Sequence, residues 1–213
     1  SHTLELLRPL FQMPLRHIWH EDCGFRLAAI RNKAIDAATS DYIIQIDGDV
    51  IIERHFIEDH IRFSRPECFV LGSRSMITQE RTSELLQLDD YEPSVWMSGL
   101  KRRDSALRCP WVTPLFFNSR HTVGCNMAFW RSDLLEVNGY DEDFQGYGHE
   151  DRDLCLRLVM AGKVRRKLKY AAIQYHLWHK EQPRDDMEHN ARQVVDRKLS
   201  GKYWAANGIA KQS

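Results

Sequence analysis

The chain has 213 residues, of which 43% are hydrophobic and 28% are charged, and its formal net charge is zero. This length can bury one sizeable core, so we expect a single domain over residues 1–213. The balanced charge excludes a global field that would recruit nucleic acid, and no apolar run approaches the roughly 20 residues needed to span a bilayer, which leaves at most a peripheral membrane contact.

The five cysteines are scattered and form no CxxC spacing. An odd number of unpatterned cysteines indicates reduced thiols in a cytosolic protein. The chain begins without Met, directly in an apolar helical pattern, so we expect it to be a piece of a longer protein. Composition does not predict its oligomeric state.

The first third of the chain, residues 1–73, alternates between helical and strand patterns. Strand, helix and strand with short joins favour an α/β layer with a parallel sheet. In chain order, the predicted elements are a helix at Leu4–Phe11, a strand at Met13–Trp19, a helix at Phe25–Ala38, a strand at Asp41–Ile46, a helix at His55–Phe63 and a strand at Cys68–Ser73.

Residues 74–122 contain one predicted helix, Thr82–Leu88, and then prolines and scattered aromatic residues. Long irregular segments of this kind favour a lid or binding loop, which we place at 91–120. Regular patterns return in 123–183 and in a C-terminal segment, 184–213. The predicted elements there are a strand at Cys125–Trp130, helices at Ser132–Val137 and Glu150–Ala161, a strand near Tyr170–Tyr175 and a polar helix at Arg184–Leu199.

Asp47-Gly48-Asp49 follows the buried strand pattern DYIIQI. Open α/β sheets bind ligands at the carboxyl ends of their strands, and two carboxylates separated by a glycine can converge on a hard divalent cation. An ordinary Asp-Gly turn is the alternative.

The stretch GYGHEDRD, Gly146 to Asp153, precedes a helical pattern. Acidic residues stabilise the first turn of a helix, which would account for one acid but not for Glu150, Asp151 and Asp153 together. The glycines Gly146 and Gly148 are typical of a close approach between backbone and ligand. Tyr147 between them offers a stacking surface beside a carboxylate.

His176 and His179 are three residues apart after a predicted strand. Imidazoles near an aspartate pair would complete a mixed oxygen and nitrogen site for a metal such as manganese or zinc, with one or both as ligands. Arg31 and Asn32, in the helix before the DGD strand, either face the same crevice or belong to a solvated helix surface.

Together, HEDCGFRLAAIRNKAI, IIQIDGD, VGCNMAFWRSDLLEVNGYDEDFQGYGHEDRDLCLRL and HLWH resemble family 2 glycosyltransferases with a galactosyltransferase-like C-terminal half. The resemblance implies a GT-A fold, which is an α/β fold with a mixed, mostly parallel sheet flanked by helices. The family's opening strands, which hold uracil and ribose, have no counterpart in this sequence. Residues 1–73 would then be a partial nucleotide-binding half and 123–183 the acceptor and catalytic half.

The resemblance also implies roles for individual residues. Asp151 would be the catalytic base, and Glu150 beside it would hold the acceptor or the sugar hydroxyls. Asp49 and Asp47, with His176 or His179, would bind Mn²⁺ or Mg²⁺. Nucleotide or substrate contacts would come from Arg31, Asn32, Asp47, Asn126, Gly146, Tyr147 and Gly148.

The implied function is metal-dependent, inverting transfer of galactose, N-acetylgalactosamine or a similar sugar. The donor would be a UDP-sugar and the acceptor a glycan or glycolipid, in surface polysaccharide synthesis. Two alternatives stay open. A haloacid-dehalogenase-like phosphatase would use Asp47 as nucleophile and Asp49 as general acid, with Asp89 and Asp90, or else Glu150–Asp153, as the second acidic group. A carbohydrate-binding remnant would hold a glycan without transfer.

Overall fold

The computed structural model describes residues 2–88, 91–118, 124–180 and 185–211. The α-helices are α1 His2–Leu7, α2 Leu27–Ala37, α3 Phe56–Phe63, α4 Gln79–Leu85, α5 Arg131–Glu136, α6 Glu150–Met160 and α7 Met187–Ser200. The strands are β1 Tyr42–Ile46, β2 Val50–Ile52, β3 Cys68–Leu71, β4 Ser75–Ile77, β5 Leu100–Lys101, β6 Asn126–Trp130, β7 Val164–Lys167 and β8 Gln174–His176. Short 3₁₀ helices form at Arg8–Leu10, Arg103–Ala106 and Thr113–Phe116.

The strands form two four-stranded sheets, in the orders β1-β6-β3-β7 and β2-β8-β4-β5. The expected α/β class with mixed sheets flanked by helices is confirmed. The expectation that the pairing is mostly parallel is wrong for the described residues: only β3 with β7 and β4 with β8 are parallel, and the other four pairs are antiparallel.

That expectation depended on a strand at Met13–Trp19, and none forms there. Met13 and Trp19 are 76% and 69% exposed, so the apolar run has no described surface to pack against. Apolar character alone does not distinguish a strand from an unpaired segment, because a strand needs a hydrogen-bonding neighbour. The predicted parallel unit before β1 is therefore absent from the described residues.

The turn Asp47-Gly48-Asp49 connects the two sheets, because β1 belongs to the first sheet and β2 to the second. β2 pairs with β8, which places Val50 opposite His176. The ladder extends past β8, since the Leu177 amide donates to the Asp49 carbonyl oxygen at 2.9 Å. The second sheet thus brings the HLWH segment to the DGD turn.

One buried cluster joins helices α2 and α6 to the first sheet. Ala28 and Ile35 from α2 and Leu154 and Leu158 from α6 pack in the same core as Phe69 of β3. Because both helices share this core, residues of α2 and of the first turn of α6 can meet above the carboxyl end of β1.

Most other predicted elements match within a few residues, with two differences. The sequence reasoning missed four strands: β2, β4 and β5 have only two or three residues each, and β7, with residues Val164, Arg165, Arg166 and Lys167, is mostly basic and lacks an apolar strand pattern. The strand predicted near Tyr170–Tyr175 begins later, at Gln174. Residue 184, where the C-terminal helix was predicted to begin, lies outside the described residues, as do Asp89 and Asp90 and the last two residues of 91–120.

Residues 91–118 are only partly irregular. Met97, Leu100 and Ala106 are buried in a separate apolar cluster. The Cys109 amide donates to the Tyr170 carbonyl oxygen at 2.9 Å. Trp96 remains 84% exposed. A lid role for this segment stays a prediction, as does the division of the chain into segments. Within the described part of the chain, no helix is both long enough and apolar enough to traverse a bilayer.

A buried ionic network holds α7 against α6. Asp153 and Arg157 are both fully buried and lie 2.6 Å apart. Arg197 from α7 reaches the other oxygen of Asp153 at 3.2 Å and also pairs with Asp141. Asp153 is thus the one acid of the EDRD stretch whose role is structural.

Asp153→Ala should therefore destabilise the protein by about 3–5 kcal/mol, because it leaves the buried Arg157 without its carboxylate. The free energy of unfolding in urea measures this. Glu188→Ala, which removes an exposed ion pair with Arg192 on α7, serves as the control and should cost less than about 0.5 kcal/mol. Equal effects of the two changes would contradict the assigned role of the network.

Candidate active site

Arg31 connects the two acidic motifs that the sequence places about a hundred residues apart. From the middle of α2, its Nη1 lies 2.7 Å from Asp151 Oδ1 and 3.2 Å from Glu150 Oε1. Its Nη2 lies 3.3 Å from Asp47 Oδ1. Only 10% of the Arg31 side chain is exposed, so solvent screens these pairs weakly. The DGD turn and the start of α6 therefore line one cleft.

Tyr140 contacts both partners of the Arg31–Asp151 ion pair. Its ring centroid lies 5.2 Å from the Arg31 guanidinium carbon, and its Oη lies 3.1 Å from Asp151 Oδ1 and 2.8 Å from Gln45 Oε1. The single hydroxyl proton can be donated to either oxygen. Tyr140 is fully buried. Asp151 Oδ1 is thus held from two sides.

Gly124 leaves room for the second oxygen of Asp151. A Cβ atom built on Gly124 would lie 1.7 Å from Asp151 Oδ2, which no side chain could tolerate. The Gly124 carbonyl oxygen also accepts a hydrogen bond from Gln45 Nε2 at 3.1 Å. The glycine therefore permits the close approach that keeps Asp151 in place.

Three carboxylates surround one guanidinium, and this excess of negative charge affects their protonation. Burial and the neighbouring Asp151 raise the pKa of Glu150 to about 7, although Arg31 opposes the shift. Burial also raises the pKa of Asp151, again against Arg31 and the Tyr140 hydrogen bond. A carboxylate with a raised pKa is a stronger proton acceptor than an exposed one. The pair is suited to removing a proton from a hydroxyl near neutral pH.

A second group of ligand-type residues lies beside Asp47. Asp49, His176 and His179 each contribute one possible ligand atom, and these three atoms lie within 4.8 Å of one another. His179 Nε2 lies 3.0 Å from Asp49 Oδ2, and His176 Nε2 lies 3.6 Å from Asp49 Oδ1. Asp49 comes from the sheet-connecting turn, His176 is the last residue of β8 and His179 follows that strand, so the second sheet assembles the group.

The protonation of the two histidines fits a cation. His176 Nδ1 lies 2.7 Å from the Leu177 carbonyl oxygen and His179 Nδ1 lies 2.9 Å from that of Lys180, so each Nδ1 donates a proton. Burial lowers the pKa of His176, which favours the neutral ring. The Nε2 lone pairs then face Asp49, whose Oδ1 is buried without a hydrogen-bond partner among the described residues. Convergent acceptors lacking a donor are what a divalent metal would satisfy.

Asp47 does not belong to this group. Its carboxylate faces Arg31, and the group of possible metal ligands found among the described residues contains Asp49 alone from the DGD turn. The structure places Asp47 apart from the other predicted metal ligands, because its carboxylate, just after β1, pairs with Arg31 at 3.3 Å; its role as a metal ligand stays a prediction. Gly48 has open space at its Cβ position and an ordinary φ, so the turn does not require glycine.

The Gly146-Tyr147-Gly148 segment lies at the mouth of the cleft, where Tyr147 is 39% exposed and packs against Phe25 with ring centroids 6.0 Å apart. Gly146 and Gly148 have φ values of +71° and +99°. A Cβ atom on Gly146 would lie 1.9 Å from Asp186 Oδ2. The glycine is thus needed for packing against the start of α7, and its contact with a ligand stays a prediction.

Helix α7 holds this segment through one buried side chain. Asn190 Nδ2 donates to the carbonyl oxygens of Gln145 and Gly148, both at 3.0 Å. Asn190 is fully buried. The C-terminal helix therefore fixes the loop that carries Tyr147 and leads into Glu150.

The structure also corrects the predicted nucleotide contacts of Asn32 and Asn126. Asn32 is 3% exposed, and it donates to the Tyr140 carbonyl oxygen and Glu142 and accepts from the Tyr140 amide. Asn126 is fully buried, and its amide donates to the carbonyl oxygens of Ser73 and Ala172. Both amides hold backbone segments together. A sequence cannot show that a polar side chain is fully hydrogen-bonded within the protein.

Two adjoining cavities of about 750 Å³ and about 340 Å³ form the cleft. The larger contains the Asp49, His176 and His179 group and an apolar wall from α2 and β1, and the smaller contains Glu150, Asp151 and Gly148. No described residue of 91–118 lines either cavity. Six residues line both: Phe25, Leu27, Arg31, Asp47, Arg74 and Tyr147.

Sequence reasoning did not single out Tyr140, Gln45, Gly124, Arg74 or Asn190. Tyr140, Gly124 and Gln45 lie inside the stretches quoted for the family resemblance, so proximity to the motifs was a usable signal. Arg74 and Asn190 carried no local signal, because one follows an ordinary strand and the other lies in a polar helix.

Two families match the chain by sequence. Glycosyl transferase family 2 matches residues 1–134, and a family described as "N-terminal domain of galactosyltransferase" matches residues 115–180. The first match covers more than half of the chain. The two matches overlap over residues 115–134, a range that includes β6.

Among curated proteins, chondroitin synthase from Escherichia coli is 24% identical over 187 residues, which cover 76% of this chain and 26% of that protein. Validoxylamine A glucosyltransferase from Streptomyces hygroscopicus subsp. jinggangensis is 24% identical, covering 71% of this chain and 39% of that protein. Pre-mycofactocin glycosyltransferase from Mycobacterium tuberculosis is 27% identical, with 68% and 28% covered. The chain thus spans well under half of the length of these relatives.

Among solved structures, a mannosyltransferase from Pyrobaculum calidifontis, in complex with GDP-Man and Mn²⁺, aligns with a TM-score of 0.42 at 15% identity, covering 83% of this chain and 41% of that one. Glucosyl-3-phosphoglycerate synthase from Mycobacterium tuberculosis, with Mg²⁺ and UDP, gives 0.42 at 15% identity, covering 91% and 57%. Likeness at this level does not extend to substrates.

His179→Ala should weaken Mn²⁺ binding at least about tenfold, because it removes one of three convergent ligand atoms. Calorimetric titration with MnCl₂ measures the affinity. His189→Ala, an imidazole on α7 outside the cleft, is the matched control and should bind Mn²⁺ as the unaltered protein does. Unchanged affinity in His179→Ala would remove His179 from the site.

Gly124→Ala should lower the rate of the catalysed reaction about a hundredfold, because the added methyl group must displace Asp151. A displacement of a catalytic group by about 1 Å typically lowers the rate by roughly this factor. Gly201→Ala is the control: its φ of +68° makes alanine strained there, but Gly201 does not line the cleft. It should cost stability, measured by urea unfolding, and keep the rate. Full activity in Gly124→Ala would contradict the assigned geometry.

Proposed function

Because this chain belongs to glycosyltransferase family 2, we propose that it transfers a sugar from a nucleotide diphosphate sugar to a hydroxyl group of an acceptor. The observation that carries the proposal is the Arg31 bridge, which joins Asp47 to Glu150 and Asp151 in one cleft, beside Asp49, His176 and His179. A leaving-group site next to a proton-accepting site is what such a transfer requires.

The proposed donor is a UDP-sugar, such as UDP-galactose or UDP-N-acetylgalactosamine, and the acceptor is a glycan or glycolipid in surface polysaccharide synthesis. Curated relatives are named for glycosyl or glucosyl transfer, and one for chondroitin synthesis, which supports a glycan-type acceptor. The apolar wall of the larger cavity gives the nucleobase of the donor a surface to pack on, and Tyr147 offers an exposed ring for stacking.

Asp49, His176 and His179 would hold a divalent cation, Mn²⁺ or Mg²⁺, which would neutralise charge on the diphosphate as it departs. The oxygen and nitrogen donor set and the orphaned Oδ1 of Asp49 fit this ion. Arg31 keeps Asp47 and Asp151 at fixed positions on either side of its guanidinium group. Arg31 remains a cation because its pKa is raised overall. Burial alone would lower this pKa, but Tyr140 and the three carboxylates raise it by more.

Asp151 acts as the general base in this proposal. The acceptor hydroxyl oxygen forms a bond to the anomeric carbon, its proton passes to Asp151 Oδ2, and the bond between that carbon and the phosphate oxygen breaks with its electron pair remaining on the phosphate. Attack from the face opposite the leaving group inverts the anomeric centre. Glu150 would hold the acceptor or a sugar hydroxyl beside Asp151.

The two alternative functions lose support. A phosphatase nucleophile at Asp47 would need to approach a phosphorus atom, but Asp47 is paired with Arg31, and the family match is to glycosyltransferases. A remnant that only binds carbohydrate would not need the buried, proton-accepting carboxylates that Arg31 and Tyr140 hold in place. Transfer accounts for both groups of residues in the cleft.

Asp151→Asn should reduce transfer at least about a hundredfold while binding of Mn²⁺ and nucleotide stays nearly unchanged, because only the proton acceptor is lost. The intact protein is first screened against nucleotide sugars with MnCl₂ by thermal shift, and transfer is then measured by release of the nucleoside diphosphate. Retained turnover in Asp151→Asn would refute the base. Absence of binding by any nucleotide sugar would refute the proposed function.

The transfer rate should rise with pH through about 7. Burial and the neighbouring Asp151 raise the pKa of Glu150 to about 7, so its carboxyl is protonated below that pH, and burial also raises the pKa of Asp151, the proposed base. Glu150→Gln removes one negative charge, which lowers the pKa of Asp151 and moves the rise to lower pH. Rates measured from pH 5.5 to 8.5 test this, and identical profiles for both proteins would contradict it.

A further inference from the structure

Arg74 lies where the two cavities of the cleft meet. It directly precedes β4 and is one of only two cationic residues among the six that line both cavities. The hydroxyl groups of its chain neighbours are anchored: Ser73 Oγ donates to the Leu168 carbonyl oxygen at 3.2 Å, and Ser75 Oγ donates to that of Arg102 at 3.1 Å. The backbone at Arg74 is therefore fixed, and its side chain faces the cleft.

The two cations at this junction differ in their partners. Arg31 is paired with three carboxylates. Among the described residues Arg74 forms no ion pair, and its one side-chain hydrogen bond is donated from Nη1 to Cys125 Sγ at 3.6 Å. Its Nε is buried without a hydrogen-bond partner among the described residues. A thiol is a weak acceptor, so the hydrogen-bonding capacity of this guanidinium is largely unused.

Holding an unpaired guanidinium inside a cleft costs free energy unless a ligand pairs with it. Its planar fork matches the two oxygens of a phosphate or a carboxylate. Arg74 has the group of possible metal ligands on one side, in the larger cavity, and Glu150 and Asp151 on the other, in the smaller. An anion at this junction would belong to the part of the donor between its metal-bound phosphates and the reacting carbon.

We propose that Arg74 binds an anionic group of the donor substrate and so determines which donors the cleft accepts. This inference rests on the proposed function. Two groups of a nucleotide sugar have the required chemistry: the β-phosphate, which gains charge as it leaves, and a carboxylate on the transferred sugar. Both would accept two parallel hydrogen bonds from the fork.

Calorimetric titration of the intact protein distinguishes these sources. The ligands are UDP, UDP-glucose and UDP-glucuronic acid, each in MnCl₂, and the variants are Arg74→Gln, which removes the charge at similar length, and Arg54→Gln, a matched control at a side chain that is 71% exposed. If Arg74 binds the β-phosphate, Arg74→Gln should weaken all three ligands about tenfold or more. If it binds a sugar carboxylate, only UDP-glucuronic acid should weaken by that factor.

Wild-type affinity of Arg74→Gln for all three ligands would overturn the inference and leave the proposed function intact. Failure of the unaltered protein to bind any of the three would contradict both. Thermal unfolding and Mn²⁺ affinity check that each variant is folded. If Arg74→Gln does not fold, Arg74→Lys decides: it keeps the charge but loses the fork, so weakened binding supports the inference and unchanged binding overturns it.

Discussion

The ion pairs of Arg31 are the interaction on which the cleft depends. A single guanidinium, nearly buried in the middle of α2, lies within 3.3 Å of carboxylates from the DGD turn and from the first turn of α6. Without it, three negative charges would face one another in a poorly solvated space. Burial, together with neighbouring carboxylates, raises the pKa of Glu150 and Asp151 although Arg31 opposes the shift, so the site that Arg31 assembles keeps carboxylates that are useful as proton acceptors.

Each of the two sheets positions a different group of residues in the cleft. The first sheet carries α2 and α6 on a shared core and thereby brings Arg31 to Asp151. The second sheet pairs β2 with β8 and thereby brings His176 and His179 to Asp49. The DGD turn connects the sheets, which explains why its two aspartates have different partners. Asp47 pairs with Arg31, which also holds the proton-accepting pair, and Asp49 belongs to the group of possible metal ligands.

Several polar residues near the motifs prove to be structural. Asn32, Asn126, Asn190 and Asp153 are buried, and each holds backbone or a charged partner in place. Gly146 and Gly124 are required because a neighbouring side chain occupies the space of their missing Cβ atoms. Motif proximity therefore indicated the right region of the chain, but not which polar residues face the ligand. Whether a side chain is satisfied within the protein depends on partners distant in sequence.

The sequence by itself determined the α/β class, most element positions, the family, and the two acidic motifs with the histidines after a strand, because hydrophobic periodicity and residue type are local properties. It did not determine the short strands β2, β4 and β5, or β7, whose residues are mostly basic. It also did not determine the largely antiparallel pairing, because strand direction depends on which strands become neighbours. Only the tertiary structure showed that Arg31 bridges the motifs, that Tyr140 and Gly124 place Asp151, and that Arg74 lies unpaired between the cavities. Each of these facts is a contact between residues separated by tens of positions or more, and spacing along the chain carries no information about such distances.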